Sequence, residues 1–300
     1  PPADALAEIV RGDAAAHKHE KKWVARLGAM SPIVMPLISG KPTGESGVLS
    51  IDVGTRDASS AAALFCAYLA RVSRAASFDL LLHTPGQVPA GSAAAALFES
   101  HVPIKIECEP TDATAPFADR VRTALADAER MGSFAKDVVI RFPTLRNVAE
   151  LKLGAMWHAA IELGPNNGAA PRAAITLRAD GSGKVSLAFR REIVGEQAAR
   201  AIAEQFHVLL KSADAGAKTL AGLDFTPGHE RTRVLETFNA TKMPYETGLR
   251  LGDLIRRRVK QHPSAPALVF EGRVVSYGEL DGLAWGIAKK LRSLGVKPGT

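Results

Sequence analysis

The stretch FDLLLHTP, residues 78–85, is a continuous apolar run that ends at a proline. It lacks the apolar–polar alternation of a strand with one wet face, and it therefore predicts a strand that is buried on both faces. Such a strand requires packed residues on each side. This one segment favours a layered fold in which helices cover a sheet.

The remaining pattern of residues 1–225 fits that fold. The segment VPIKIECEP, residues 102–110, alternates, which predicts a strand with Val102, Ile104, Ile106 and Cys108 facing inward. Further strands are predicted at 48–53, at 159–163 and, as a hairpin around the turn DGSG, within 173–189. Helical spacing predicts helices at 15–28, 59–76, 115–131 and 195–212. Residues 1–225 are therefore expected to form one α/β domain, a mixed sheet covered by helices.

A linker is predicted at residues 226–248. Thr226 is expected to cap a short helix, with Pro227 in its first turn, and the helix is expected to end near Asn239. Pro244 and Gly248 then favour extended chain. Residues 249–300 are expected to open a second domain.

Composition excludes several classes of protein. Charged residues make up 23% of the chain, and no run of about 18 apolar residues predicts a membrane span. Cys66 and Cys108 lie far apart in apolar surroundings, which favours buried thiols and a reducing, cytoplasmic setting. Their spacing to the histidines fits no metal site.

The net charge of +7 raises the possibility of a nucleic-acid partner. The most basic run, Arg256–Arg258, lies on the polar side of a helix whose apolar side carries Leu251, Leu254, Ile255 and Val259. No aromatic residues are interleaved with these arginines to stack on bases. A solvated helix face is therefore favoured, and neither a nucleic-acid nor a membrane partner is expected.

Two histidines near strand ends are candidates for a general base. His83 ends the apolar strand and His101 precedes the alternating one, and either could titrate near neutral pH or simply be a satisfied residue at a strand end. Ser100 and His101 are adjacent, and on a strand their side chains would point to opposite faces. They are therefore not expected to form a nucleophile pair. His17 and His19 face apart on a helix and are not expected to bind metal.

The motif VSYGEL, residues 275–280, has the spacing of a helical capping box between Ser276 and Glu279. It predicts a helix that ends at Gly295. The inward stripe of that helix is expected to be Leu280, Leu283, Ile287 and Leu291.

With the segments NAT (239–241), PSAPAL (263–268) and EG (271–272), this motif resembles the entry of a nonribosomal peptide synthetase adenylation domain. The resemblance implies a structural role for Ser276, Tyr277, Glu279 and Leu280. The ATP-contacting elements of that family lie further downstream, so residues 249–300 are expected to be a truncated start of the domain.

Four segments of residues 17–240 share a second pattern: WVARL (23–27), DLLLHTP (79–85), FESHVPIKI (98–106) and VSLAFRREIVGEQAARAIAEQFHVLL (185–210). Their order and spacing resemble the second lobe of a condensation domain, a chloramphenicol-acetyltransferase-like lobe. Three positions depart from the family pattern. His83 replaces a Gly, and Ser100 and His101 replace Asn and Thr. The late R-D-x-S-R-N-P motif has no counterpart, and the H-H-x-x-x-D-G motif belongs to the first lobe and is absent here.

The resemblance implies a fragment of a synthetase module. The parent would join carrier-bound acyl groups into an amide and activate an amino acid as its adenylate, using ATP, Mg²⁺ and phosphopantetheine. Its partners would be the upstream condensation lobe, the downstream adenylation domain and peptidyl carrier domains. A wall of the substrate channel is expected at His83, Thr84, Ser100 and His101.

No catalytic, cofactor-binding or metal-binding residue is assigned within the chain. The isolated chain is expected to show neither amide synthesis nor ATP–pyrophosphate exchange. The alternative is a degenerate, non-catalytic condensation-like scaffold that packs against an adenylation domain.

Overall fold

The computed structural model describes residues 3–300 except 37, 39–43, 85–92, 153–154, 165–169, 181–182, 245–246 and 298. The chain divides into two compact units, Pro1–Val234 and Leu235–Thr300. This division falls inside the predicted linker at 226–248. The domain limits at 225 and 249 remain predictions.

The first unit contains six strands and seven α-helices among its described residues. The strands are β1 (Ser46–Ile51), β2 (Ser77–His83), β3 (His101–Glu107), β4 (Trp157–Leu163), β5 (Ala173–Ala179) and β6 (Val185–Arg190). The helices are α1 (Ala3–Gly28), α2 (Ala58–Ser73), α3 (Thr114–Met131), α4 (Val138–Arg141), α5 (Arg191–Val194), α6 (Glu196–Asp214) and α7 (Gly228–Thr232).

The six strands form one sheet in the order β1-β6-β5-β4-β2-β3. The pairs β2–β4 and β4–β5 are parallel, whereas β1–β6, β5–β6 and β2–β3 are antiparallel. The sheet is therefore mixed, and the predicted α/β fold with helices on a mixed sheet is confirmed.

The main core lies between one face of this sheet and the helices α2, α3 and α6. Phe65 of α2 packs edge-on against Phe206 of α6, with ring centroids 5.5 Å apart. The predicted inward stripe of α3 is also confirmed, because Phe117, Val121 and Leu125 are all buried.

The two predicted strand types are both present. In β2, Leu80 and Leu82 enter the main core, while Leu81 joins a second cluster on the other face with Trp157, Ala160 and Ala173. Burial on both faces, inferred from the apolar run, is confirmed. In β3, Lys105 and Glu107 are exposed between buried neighbours, as their alternation predicts.

Two local predictions in the first unit are wrong. α1 begins at Ala3 rather than at residue 15. Thr226 does not cap α7. The N-cap is Pro227, which makes no side-chain cap, and the Thr226 N–H instead donates to Asp224 Oδ1 at 3.0 Å. The aspartate two residues earlier organises this turn before Thr226 can act as a cap.

The second unit contains the helices α8 (Leu251–Gln261) and α9 (Tyr277–Ser293) and the hairpin of β7 (Pro266–Phe270) with β8 (Arg273–Ser276). Glu271 and Gly272 join the strands with φ angles of 47° and 78°. Two successive positive φ angles are typical of a tight hairpin turn, and Gly272 adopts this conformation without strain.

The predicted capping box of α9 is confirmed, because the Ser276 N–H donates to Glu279 Oε2 and the Glu279 N–H donates to Ser276 Oγ. The predicted inward stripe is wrong, since Leu283, Ile287 and Leu291 are exposed. A two-stranded sheet with two helices has too little apolar surface to cover them. Across the described residues, every helix is too short or too polar to cross a membrane.

Candidate functional site

A row of polar side chains crosses one end of the large sheet. His83 of β2 is aligned with His101 of β3 and with Glu162 of β4, and Glu162 is aligned with Arg178 of β5. Aligned residues on neighbouring strands project from the same face. These four residues, termed the polar row, lie on the face opposite the main core, because Leu82 beside His83 points into that core.

The polar row is held together by hydrogen bonds and ion pairs. His101 Nε2 lies 3.4 Å from Glu162 Oε1, and Arg178 Nε donates to Glu162 Oε2 at 2.7 Å. The rings of His83 and His101 are 5.0 Å apart between centroids. His101 and Arg178 are each only 8% exposed. The row is therefore largely withdrawn from water, where these interactions are stronger than at an open surface.

The surroundings set the charges of the row. Burial alone raises the pKa of Glu162, but hydrogen bonds from His101 and Arg178 outweigh it and lower the pKa below its ordinary value. Glu162 is therefore a carboxylate at neutral pH. Burial, reinforced by the neighbouring His101, lowers the pKa of His83, which keeps that imidazole neutral.

The structure brings all four sequence-predicted wall residues together. The Thr84 N–H donates to the Ser100 carbonyl at 3.1 Å, and these two residues continue the paired His83 and His101. The Thr84 side chain is fully buried, and its hydroxyl has no hydrogen-bond partner among the described residues.

The expectation that Ser100 and His101 point to opposite faces is wrong. Ser100 Oγ lies 3.0 Å from His101 Nδ1. β3 begins at His101, so Ser100 belongs to the preceding bend and does not follow the alternation of a strand. The Ser100 side chain is exposed, whereas His101 is buried.

One ion pair and two hydrogen bonds fix the bend that precedes β3. Arg172 Nη2 lies 3.0 Å from Glu99 Oε1, and the Ser100 N–H donates to the same carboxylate oxygen at 3.3 Å. The Glu99 N–H donates to the Phe134 carbonyl at 2.9 Å. The position of Ser100 is therefore tied to the rest of the first unit.

Sequence reasoning missed Glu162 and Arg178. Both lie in predicted strands, at 159–163 and within 173–189. A charged residue near the end of an otherwise apolar strand was the available signal. Their mutual contact depends on the strand register, which the sequence does not display.

The other sequence-predicted site residues lie in the second unit. The Ser276 N–H donates to Glu279 Oε2 at 2.8 Å, and the Tyr277 N–H donates to the Ala265 carbonyl at 3.0 Å. These contacts, local to the hairpin and α9, account for Ser276, Tyr277 and Glu279 as folding elements. A role for this motif, including Leu280, in adenylation remains a prediction.

A cavity of about 780 Å³ lies at the other end of β2 and β3. Its lining is mostly apolar and includes Tyr68, Ile202 and Phe225. The Tyr68 hydroxyl inside it already donates to Gln205 Oε1 at 2.8 Å. Within the described part of the chain, no cluster of three or more His, Cys, Asp or Glu side chains could hold a metal ion. The polar row is therefore the stronger candidate site.

Comparison with known proteins identifies sequence relatives. No family model matches the chain. It is 37% identical over 79 residues to malpinin synthetase of Mortierella alpina, which covers 26% of this chain and 1% of that protein. It is 28% identical over 117 residues to bacitracin synthase 1 of Bacillus licheniformis, which covers 39% of this chain and 2% of that protein. The chain thus spans a very small part of the curated relatives it matches.

Solved structures identify the fold. A four-domain nonribosomal peptide synthetase bound to AMP and glycine superposes with a TM-score of 0.67 at 15% identity, over 93% of this chain and 25% of that one. The starter condensation domain of rhizomide synthetase superposes with a TM-score of 0.51 at 14% identity, over 69% of this chain and 54% of that one. The first unit accordingly has the fold of a condensation-domain lobe.

Proposed function

The chain matches nonribosomal peptide synthetases in sequence and in fold, and on that premise we propose that its first unit forms one wall of a condensation channel. In this channel an amine on one carrier arm would attack a thioester on another and form an amide. The second unit would begin the adenylation domain that activates the incoming amino acid. The upstream lobe, the adenylation domain and the carrier domains are the proposed partners.

The polar row is the observation that carries this proposal. Four ionisable side chains, aligned on four neighbouring strands, are concentrated at one end of the sheet. Such a concentration is costly unless it is fully paired, and replacing a buried ion pair by apolar residues is often neutral or stabilising. A functional role would explain why charged side chains occupy these buried positions despite the free-energy cost of burying them.

The chemistry of the row suits a thioester-bearing arm. The Thr84 hydroxyl, which can both donate and accept, is a buried group beside the row without a partner among the described residues. A phosphopantetheine arm is a chain of amides that needs both kinds of group along its path. The arm supplies the thioester, and the row would orient it and limit the access of water.

ATP and Mg²⁺ are not assigned to this chain's residues. The described part of the chain holds no cluster suited to a metal ion, and its sequence has no G-x-x-x-x-G-K-[S/T] loop. In the parent protein these groups would be bound by the adenylation domain. A cytoplasmic location is part of the proposal, supported by free, buried Cys66 and Cys108.

The second candidate function is a non-catalytic scaffold. It is favoured by the departures at His83, Ser100 and His101 from the family pattern. A scaffold would need the sheet and helices of the first unit but not the specific charges of the polar row.

Product formation by the synthetase module that contains this chain separates the two functions. The variant Glu162→Gln is compared with Glu107→Gln, which makes the same chemical change at an exposed position of β3. Circular dichroism of the 300-residue chain first establishes that both variants are folded. The channel function then predicts at least a tenfold loss of amide product, measured by mass spectrometry, for the first variant alone. ATP–pyrophosphate exchange should be unchanged in both. Equal product from both variants would favour the scaffold.

A further inference from the structure

Ser100, His101 and Glu162 form a continuous hydrogen-bonded chain from the surface into the first unit. Ser100 Oγ lies 3.0 Å from His101 Nδ1, and His101 Nε2 lies 3.4 Å from Glu162 Oε1. A hydroxyl, an imidazole and a carboxylate in this order constitute the arrangement that activates a serine nucleophile.

For a neutral His101, the contacts fix the direction of these hydrogen bonds. The carboxylate of Glu162 can only accept, so His101 Nε2 carries the proton and donates it. In the neutral imidazole the other nitrogen, Nδ1, is then an acceptor. The Ser100 hydroxyl must therefore donate to His101 Nδ1, which is the direction in which a base polarises a nucleophile.

Burial is graded along the chain in the order that a reaction requires. Ser100 is exposed, so a substrate can reach its hydroxyl. The side chain of His101 is 8% exposed and that of Glu162 is 12% exposed, so the base and its carboxylate are shielded. Glu162 is also fixed from its other oxygen by Arg178 Nε at 2.7 Å, which limits rotation of the carboxylate.

We propose that Ser100 is a nucleophile for acyl groups, with His101 as its general base and Glu162 as the residue that orients His101. The substrate class is an activated ester or thioester. This inference rests on the geometry at the end of β3 and does not require the condensation function proposed above.

The proposed reaction consumes only the acyl substrate and water. Ser100 Oγ forms a bond to the acyl carbon, the bond from that carbon to the leaving oxygen or sulfur breaks, and the serine proton passes through His101 Nδ1 to the leaving group. Water then attacks the acyl carbon and gives a proton to His101 Nδ1, the bond from that carbon to Ser100 Oγ breaks, and His101 returns the proton to Ser100 Oγ. The products are a carboxylic acid, an alcohol or thiol, and the regenerated Ser100.

A fluorophosphonate probe tests the nucleophile on the full 300-residue chain. Intact-mass spectrometry should find one adduct, which Ser100→Ala abolishes. Ser77→Ala should leave it unchanged, because Ser77 is an exposed serine on the neighbouring β2. His101→Gln should slow labelling by about 100-fold, the scale on which a general base contributes. Absence of an adduct, or equal labelling of Ser100→Ala, would overturn the proposal.

A second pair of variants tests the site independently of that probe. Ser100→Cys and Ser77→Cys place a thiol at each exposed position, while the native Cys66 and Cys108 are buried. Iodoacetamide should alkylate the Ser100→Cys thiol at least tenfold faster, and adding His101→Gln or Glu162→Gln should remove the difference. Circular dichroism verifies that each variant is folded. Equal alkylation rates at positions 100 and 77 would contradict activation by His101.

Discussion

Arg178 of β5 donates a 2.7 Å hydrogen bond to Glu162 of β4, and the two residues are direct partners in the parallel register. Their side chains are only 10% and 12% exposed. The pair joins the two central strands at the end of the sheet where His83 and His101 also lie. It fixes the charge pattern of the polar row at this end of the sheet.

Removing one partner of this pair should destabilise the first unit strongly. Arg178→Met removes the guanidinium that pairs with the buried Glu162 carboxylate. The expected cost is about 3 kcal/mol in the free energy of unfolding. The double variant Glu162→Gln/Arg178→Met should recover part of that loss, because no uncompensated charge remains. Urea unfolding of the wild type, of Arg178→Met and of the double variant measures the loss of stability and its partial recovery. A double variant less stable than Arg178→Met would contradict the argument.

Gly47 is required by the close approach of a phenylalanine ring. It is paired with Phe189 across β1 and β6, and a Cβ at this position would lie 2.3 Å from the ring. Phe189 is fully buried, so its ring has little space to move into. Gly47→Ala should therefore cost about 2 kcal/mol.

Ser46→Ala, a substitution at the exposed neighbouring residue, is the control and should change stability by less than about 0.5 kcal/mol. Urea unfolding measures both variants. Equal stability of Gly47→Ala and Ser46→Ala would contradict the close contact of the Phe189 ring with Gly47.

Asp57 caps α2, and this cap should make stability depend on pH. The Ser60 N–H donates to Asp57 Oδ1 at 2.6 Å, and this backbone hydrogen bond is the main cause of the lowered pKa of Asp57. A lowered carboxyl pKa contributes stability above the pKa of the unfolded chain, and that contribution is lost as the pH falls through the folded value.

Asp57→Ala should cost about 1 kcal/mol at neutral pH, and Asp57→Asn should keep most of the cap. The difference between wild type and Asp57→Ala should shrink on acidification below about pH 4. Thermal unfolding of both proteins, followed by circular dichroism from neutral pH to below about pH 4, measures this difference. A difference that grows on acidification would contradict the assignment of the cap.

The second unit should exchange its amide hydrogens quickly. Its described residues include none that is fully buried, and Leu283 and Ile287 of α9 are 59% and 63% exposed. A two-stranded hairpin with single helices is marginally stable in water. Hydrogen exchange followed by mass spectrometry should find β7, β8 and α9 much less protected than β2. Comparable protection of the two units would be inconsistent with this description.

The sequence predicted those features that depend on local pattern. The apolar run around Leu80 and Leu82 identified a strand buried on both faces, and the spacing of Ser276 and Glu279 identified the cap of α9. Both patterns are set by a few neighbouring residues, so no tertiary information was needed.

The predictions that failed concern features that depend on where a strand or helix begins and on the register of paired strands. Whether Ser100 and His101 point the same way depends on where β3 begins, which is uncertain by a few residues from sequence. The contact of Glu162 with Arg178 depends on the pairing of two strands. The exposure of Leu283 depends on which layers cover α9, and periodicity in the helix cannot supply that.

Covalent capture of a carrier arm is the most direct test of the channel wall. In the synthetase module that contains this chain, His83→Cys places a thiol in the polar row, and Glu107→Cys places a matched thiol at the exposed end of β3. A carrier domain bearing a chloroacetyl-pantetheine arm should alkylate the thiol at position 83 and leave the one at position 107 unmodified, as read by peptide mass spectrometry. No adduct at position 83, or equal adducts at both positions, would contradict the account.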